Sequence, residues 1–202
     1  KLKKIKQSFR LAMNGTAAQS MREKGLDYKI NWGVSLVDLK KMAAEYGKDY
    51  GLAIELWKEN IRECKILATL IMPADRMAPE IADIWMEQTH SQDMAEMAAF
   101  NLYQHLPYAP MLAYKWIADA RDIYQICGYH ILSRLFINGQ EPNERGLNEF
   151  IDQAIAALQS DNAGLRHAAS TALQRLAGLG DEYKLIVSKA TKPLSQHFST
   201  DD

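Results

Sequence analysis

The chain has 202 residues, 48% of them hydrophobic and 24% charged, enough for one sizeable core or one stack of repeats and tight for two domains. No apolar run approaches the roughly 18 residues that cross a bilayer, and the basic start Lys1-Leu2-Lys3-Lys4-Ile5-Lys6 leads into no apolar stretch of the kind that makes a secretory signal. The net charge of -1 conceals an asymmetry: residues 1–65 carry 14 Lys+Arg against 8 Asp+Glu, residues 66–165 carry 5 against 13, and residues 166–202 carry 5 against 4. A nucleic acid is therefore drawn to the first third and repelled by the middle, unless folding segregates these charges by face.

Taken in chain order, helical signals dominate. Apolar residues recur near helical spacing from Ile5 to Arg22. A loop follows over residues 24–34. Ser35 with Asp38 reads as an N-cap and a first-turn acid, opening a helix through Tyr46 that Gly47 stops. A short helix is expected around Leu52 to Glu59. Four helices then start near residues 61, 91, 121 and 162, each with an apolar stripe in which small residues such as Ala98, Gly128 and Ala169 are set. Shorter helices lie between them, over Pro79–Glu87, Ala109–Ala118 and Gly146–Leu158, with Ser91 and Asp161 as expected caps. One helix pair every 30 to 41 residues is the pattern of a HEAT-type or armadillo-type array, in which no unit buries its apolar face without a neighbour. A non-repetitive helical bundle is the other arrangement these helices allow. The expected fold is all-α, a HEAT-like repeat solenoid of antiparallel helix pairs forming a single domain over 1–202.

Few residues suggest chemistry on their own. Cys64 and Cys127 lie far apart in apolar helical patterns and read as buried free thiols, in keeping with a reducing cytoplasm. No phosphate loop, dinucleotide fingerprint or nucleophile elbow is present, and no cofactor is implied. Glu87-Gln88-Thr89-His90 has the carboxylate–imidazole spacing of di-iron bundles, but such a site needs a second copy that the sequence lacks, so no metal is expected. His105, His130, His167 and His197 share no spacing. Trp32, Trp57, Trp85 and Trp116 sit in apolar patterns and read as packing residues. Asp93 near the start of its helix is accounted for by the helix dipole. Glu96, one turn on, becomes a half-buried carboxylate able to stabilise positive charge if its face lines a groove.

Several segments resemble the DNA alkylation-repair family, the HEAT-repeat alkylpurine DNA glycosylases. They are Ser20 to Val34, the loop-to-helix run Gly33 to Lys40, Leu56-Trp57 with Ile61-Arg62-Glu63 and the helix after it, and Lys115-Trp116-Ile117. The resemblance covers most of the chain and is most specific in its first third. It implies an all-helical fold around DNA and excision of cationic N3- or N7-alkylated purines, which leave readily once charge developing on the sugar is stabilised. The family's catalytic run is Trp-Asp-Ser-Val-Asp-like. Placed on Gln92-Asp93-Met94-Ala95-Glu96, it sets Gln92 at the tryptophan and Glu96 at the aspartate. A second aromatic expected in the last repeat falls on Thr171 or Ala172, and a groove arginine falls near Cys127. The resemblance further implies phosphate contacts at Ser35 and Lys40, with Arg166 and Arg175 as basic candidates on the last repeat. Three functional readings stay open: a DNA-binding relative with weakened or lost glycosylase activity, an active alkylpurine glycosylase using Glu96, and a non-enzymatic protein-interaction scaffold.

Overall fold

The structure is a computed structural model and describes residues 1–197, without the side chains of residues 196 and 197, so His197 lies outside the described side chains. Twelve α-helices are present among the described residues: α1 (Leu2–Leu11), α2 (Gly15–Glu23), α3 (Leu36–Tyr46), α4 (Tyr50–Trp57), α5 (Arg62–Ile71), α6 (Pro79–Glu87), α7 (Gln92–Asn101), α8 (Ala109–Ile117), α9 (Asp122–Ile137), α10 (Glu144–Leu158), α11 (Ala163–Ala177) and α12 (Asp181–His197). Short 3-10 turns occupy Ala74–Arg76 and Tyr103–His105. No strand is found among these residues, only an isolated parallel bridge between Ile30 and Ile61. None of the helices is long and apolar enough to cross a membrane.

The expected elements are largely present, and their starts have local causes. Four successive pairs, α4–α5, α6–α7, α8–α9 and α10–α11, are each joined by turns of four residues, the connection of antiparallel helices, and α4–α5, α8–α9 and α10–α11 pack on each other. The second helices of the pairs begin at 62, 92, 122 and 163, keeping the periodicity of the sequence. Ser35 caps α3 by accepting from Asp38 N–H at 3.1 Å, and Gly47 ends that helix with φ +67°. Two expectations are corrected. The run Ile5–Arg22 is two helices, because Asn14 opens α2 by accepting from Ala17 N–H at 3.0 Å while its own N–H donates to Trp32 O at 2.9 Å. The cap of α11 is Asn162, not Asp161; its Oδ1 accepts from Gly164 N–H at 2.9 Å and Leu165 N–H at 3.2 Å.

The chain forms two compact units, residues 1–107 and 108–202. In the first, α5 packs against α3, α4 and α7. Its core holds a stacked pair, Trp57 and Trp85, with ring centroids 4.3 Å apart and planes within 4°. In the second, α9 lies between α8 and α11 and is buried on nearly every side, so its sequence shows little amphipathic stripe. Gly128 makes the closest approach there: an added Cβ would sit 2.8 Å from Ala113 O and 2.9 Å from Ile117 N. Phe150 closes this core edge-on against Tyr129 and Phe136, at centroid distances of 6.2 and 5.3 Å.

Candidate nucleic-acid interface

The loop over residues 24–34 is fastened to the start of α5 by a buried ion pair. Glu63, fully buried, accepts from Trp32 N–H at 3.2 Å through Oε2 and from Val34 N–H at 3.3 Å through Oε1. Arg62 lies 3.3 Å from the same carboxylate and donates to Val34 O at 3.1 Å. Gly33 is required in this loop: its φ is +67°, and a Cβ would fall 2.2 Å from Asn14 O.

So anchored, the loop meets the start of α7. Ser91 caps α7 by accepting from Met94 N–H at 3.1 Å, and its hydroxyl lies 3.4 Å from that of Tyr28. Tyr28, Lys65, Thr89, His90, Ser91 and Met94 are among the residues lining a small cavity of about 90 Å³. That is well below the roughly 300 Å³ at the lower end of ligand pockets. Burial raises the Tyr28 phenol above its ordinary pKa and lowers that of the Lys65 ammonium. Lys65 Nζ donates to Trp57 O at 2.8 Å and stands 4.3 Å from the centroid of that indole. Asp93, in the first turn of α7, has one carboxylate oxygen, Oδ2, that is shielded from solvent and lacks a hydrogen-bond partner among the described residues. An unpaired buried carboxylate oxygen is costly, and the positive end of α7 offsets that cost.

The residues expected from sequence are dispersed by comparison. Gln92 and Glu96 share one face of α7, and both are exposed. Glu96 is solvated rather than half-buried, because Met94, Ala95, Ala98 and Ala99 occupy the inward face of the helix. Neither residue lines the cavity. Ser35 is engaged in its cap and also donates to Asp38 Oδ2 at 2.8 Å. Lys40 is exposed on α3 and borders a shallow groove with Lys48. Arg166 and Arg175 belong to the second unit and are both exposed; Arg166 donates to Ser160 O at 2.6 Å. Arg175 is in the last turn of α11, where a cation complements the helix dipole. Cys127 and Ala172 are fully buried, so an arginine or an aromatic ring at either place has no room. Burial pushes both thiols up, that of Cys64 to about 12.

The sequence profile described as DNA alkylation repair enzyme matches residues 5–178. The chain belongs to the DNA alkylation repair enzyme family. Its fold is also similar to a solved structure described as "A new family of proteins related to the HEAT-like repeat DNA glycosylases with affinity for branched DNA structures". The TM-score is 0.85 over 94% of this chain and 81% of that chain, at 16% sequence identity. At that identity the likeness is one of fold, and it supports the HEAT-like reading of the helix pairs. No curated protein matches the chain by sequence. In this member of the DNA alkylation repair family, Asp93 is legible in the sequence as a first-turn carboxylate, two residues after the serine cap.

Proposed function

We propose that this DNA alkylation repair family member binds branched DNA and that its alkylpurine excision is weakened or lost. Binding is supported by the family match and by the fold of a relative described by its affinity for branched DNA. The observation that carries the loss of excision is at the end of α6. Read with its serine on Ser91, the cap of α7, the family's Trp-Asp-Ser-Val-Asp-like run is Thr89-His90-Ser91-Gln92-Asp93. In that register Thr89 stands at the tryptophan and Asp93 at the aspartate; in the other, Gln92 and Glu96 do, and neither register puts a ring at the tryptophan. Thr89 is buried and donates its hydroxyl to Trp85 O at 2.7 Å, so it offers no ring face. An aromatic face against a base contributes about 1–3 kcal/mol, and losing it removes much of the hold on an extruded purine.

One observation favours active excision as a second reading. Asp93 keeps a carboxylate oxygen unpaired in the first turn of α7, the form in which such a group best stabilises developing positive charge.

The test combines gel shift on a four-way junction and a duplex with single-turnover release of 7-methylguanine, for the parent chain, Asp93→Asn and Glu96→Gln. Salt-sensitive junction binding is expected, with base release no faster than spontaneous loss in all three proteins. Release abolished by Asp93→Asn would establish the second reading. Release abolished by Glu96→Gln alone would assign the chemistry to the exposed face of α7. Neither binding nor release would leave the interaction scaffold, a role to which the acid-rich segment 66–165 is suited.

A further inference from the structure

A cluster of positive charge in the first unit is built without any residue of α7. A cavity of about 590 Å³ opens among α1, the 24–34 loop and the turn between α4 and α5. Lys3, Lys6, Arg10, Lys29 and Lys58 line it against a single acid, Glu59. Glu59 is paired with Lys6, and Lys58 is paired with Glu55 at 2.7 Å. Lys3, Arg10 and Lys29 are exposed and take part in no ion pair among the described residues.

The sequence builds this arrangement through α1. Ile5 and Phe9 are buried, which turns Lys3, Lys6 and Arg10 onto the opposite stripe at i, i+3 and i+7. Like charges at such spacing oppose helix formation unless a counter-charge meets them. The cavity also has a non-ionic wall. Trp32, half-buried, lines it between Ile30 and Ile61, and the Arg10 guanidinium is 5.4 Å from the indole centroid. Several cations spread around a planar aromatic group match a strand with successive phosphates and an unstacked base. The volume is that of a site for one nucleotide. A duplex, with its bases stacked inside, presents no such group.

We propose that this cavity binds an unpaired DNA strand, with phosphates on Lys3, Arg10 and Lys29 and one base against the Trp32–Arg10 pair. The proposal rests on the DNA-binding reading above and supplies what a branch point offers beyond duplex, namely unpaired nucleotides.

The experiment measures fluorescence anisotropy of labelled oligothymidylate, duplex and four-way junction across a salt series. The proteins are the parent chain, the triple variant Lys3→Ala/Arg10→Ala/Lys29→Ala, and a control of equal charge, Lys4→Ala/Lys24→Ala/Lys184→Ala, all exposed positions outside the cavity. Circular dichroism confirms that each is folded. The triple variant is expected to lose about tenfold or more in affinity for oligothymidylate, and its log–log salt slope is expected to shrink by about 2, at about 0.7 per phosphate contact on a single strand. The control is expected to bind like the parent, and Trp32→Phe to abolish the quenching of protein fluorescence by oligothymidylate. Equal weakening of triple variant and control, or none in either, would overturn the proposal. So would displacement of the strand by thymidine monophosphate at equal concentration, which would make this a mononucleotide site. A parent chain that binds the junction but not oligothymidylate would overturn this proposal and leave the DNA-binding reading standing. A parent chain that binds no DNA would overturn both.

Discussion

At the scale of single residues, position against backbone decides more than chemical type. Gly128 reads in the sequence as one more small residue in an apolar stripe. In the structure it is where α9 touches the backbone of α8, with Ala113 O and Ile117 N inside contact distance of any added methyl. Gly128→Ala must therefore separate two helices rather than rotate one side chain. A loss of about 1–3 kcal/mol is expected, measured as a fall in the urea midpoint. His130 is a second case. It is buried on α9, and burial, aided by the nearby His167, lowers its pKa to about 4. The unfolded chain takes up this proton near the ordinary value of about 6.5, so between these values the unfolded state binds more protons than the folded one. The stabilisation is complete above about 6.5 and is lost as pH falls through the folded pKa, with a slope of at most about 1.4 kcal/mol per pH unit. Denaturation midpoints should fall as pH is lowered between these limits, and His130→Gln should flatten that dependence whatever its baseline stability.

At the scale of elements, the 24–34 loop shows how a segment without regular structure is held. Its fixed points are the bridge from Ile30 to Ile61, the Arg62–Glu63 pair and the close approach at Gly33. Breaking a buried pair from one side leaves the other charge stranded, at about 3–5 kcal/mol. Glu63→Ala should lower the melting temperature sharply and speed trypsin cleavage after Lys24 and Lys29, in the loop that the pair holds in place. Replacing both members by Arg62→Met/Glu63→Leu should recover part of the loss, since no charge is then left buried. Stability unchanged in Glu63→Ala would show that the bridge and Gly33 suffice. The same element scale explains α7: the cap at Ser91 fixes which residues fall in the first turn, and so leaves Asp93 with one shielded oxygen and Glu96 on the exposed face.

At the scale of the whole molecule, the helix pairs repeat, but their charges do not. All residues lining the large basic cavity come from the first 65, the segment with 14 basic against 8 acidic residues. The acid-rich middle runs across the end of the first unit and into the second. If the DNA-binding reading holds, affinity is governed by this local concentration of cations rather than by the net charge of -1, and steep salt dependence is expected in a protein that is nearly neutral overall.

The sequence by itself determined the helices, their pairing and most of their ends. These depend on local causes: caps such as Ser35 and Ser91, a stop at Gly47, and a spacing of apolar residues that only a helix satisfies. It also carried the family resemblance. It did not show the break before Asn14, and it misplaced the cap of α11, where two neighbouring polar residues were equally able to serve and contacts with other segments chose between them. The candidate sites were decided by tertiary structure alone. Whether a carboxylate is buried or solvated depends on the register of its helix against its neighbours, as Asp93 and Glu96 show. The basic cavity needed α1, the 24–34 loop and the α4–α5 turn to meet, because charges distant in the chain act together only when folding brings them within a few ångströms of one space.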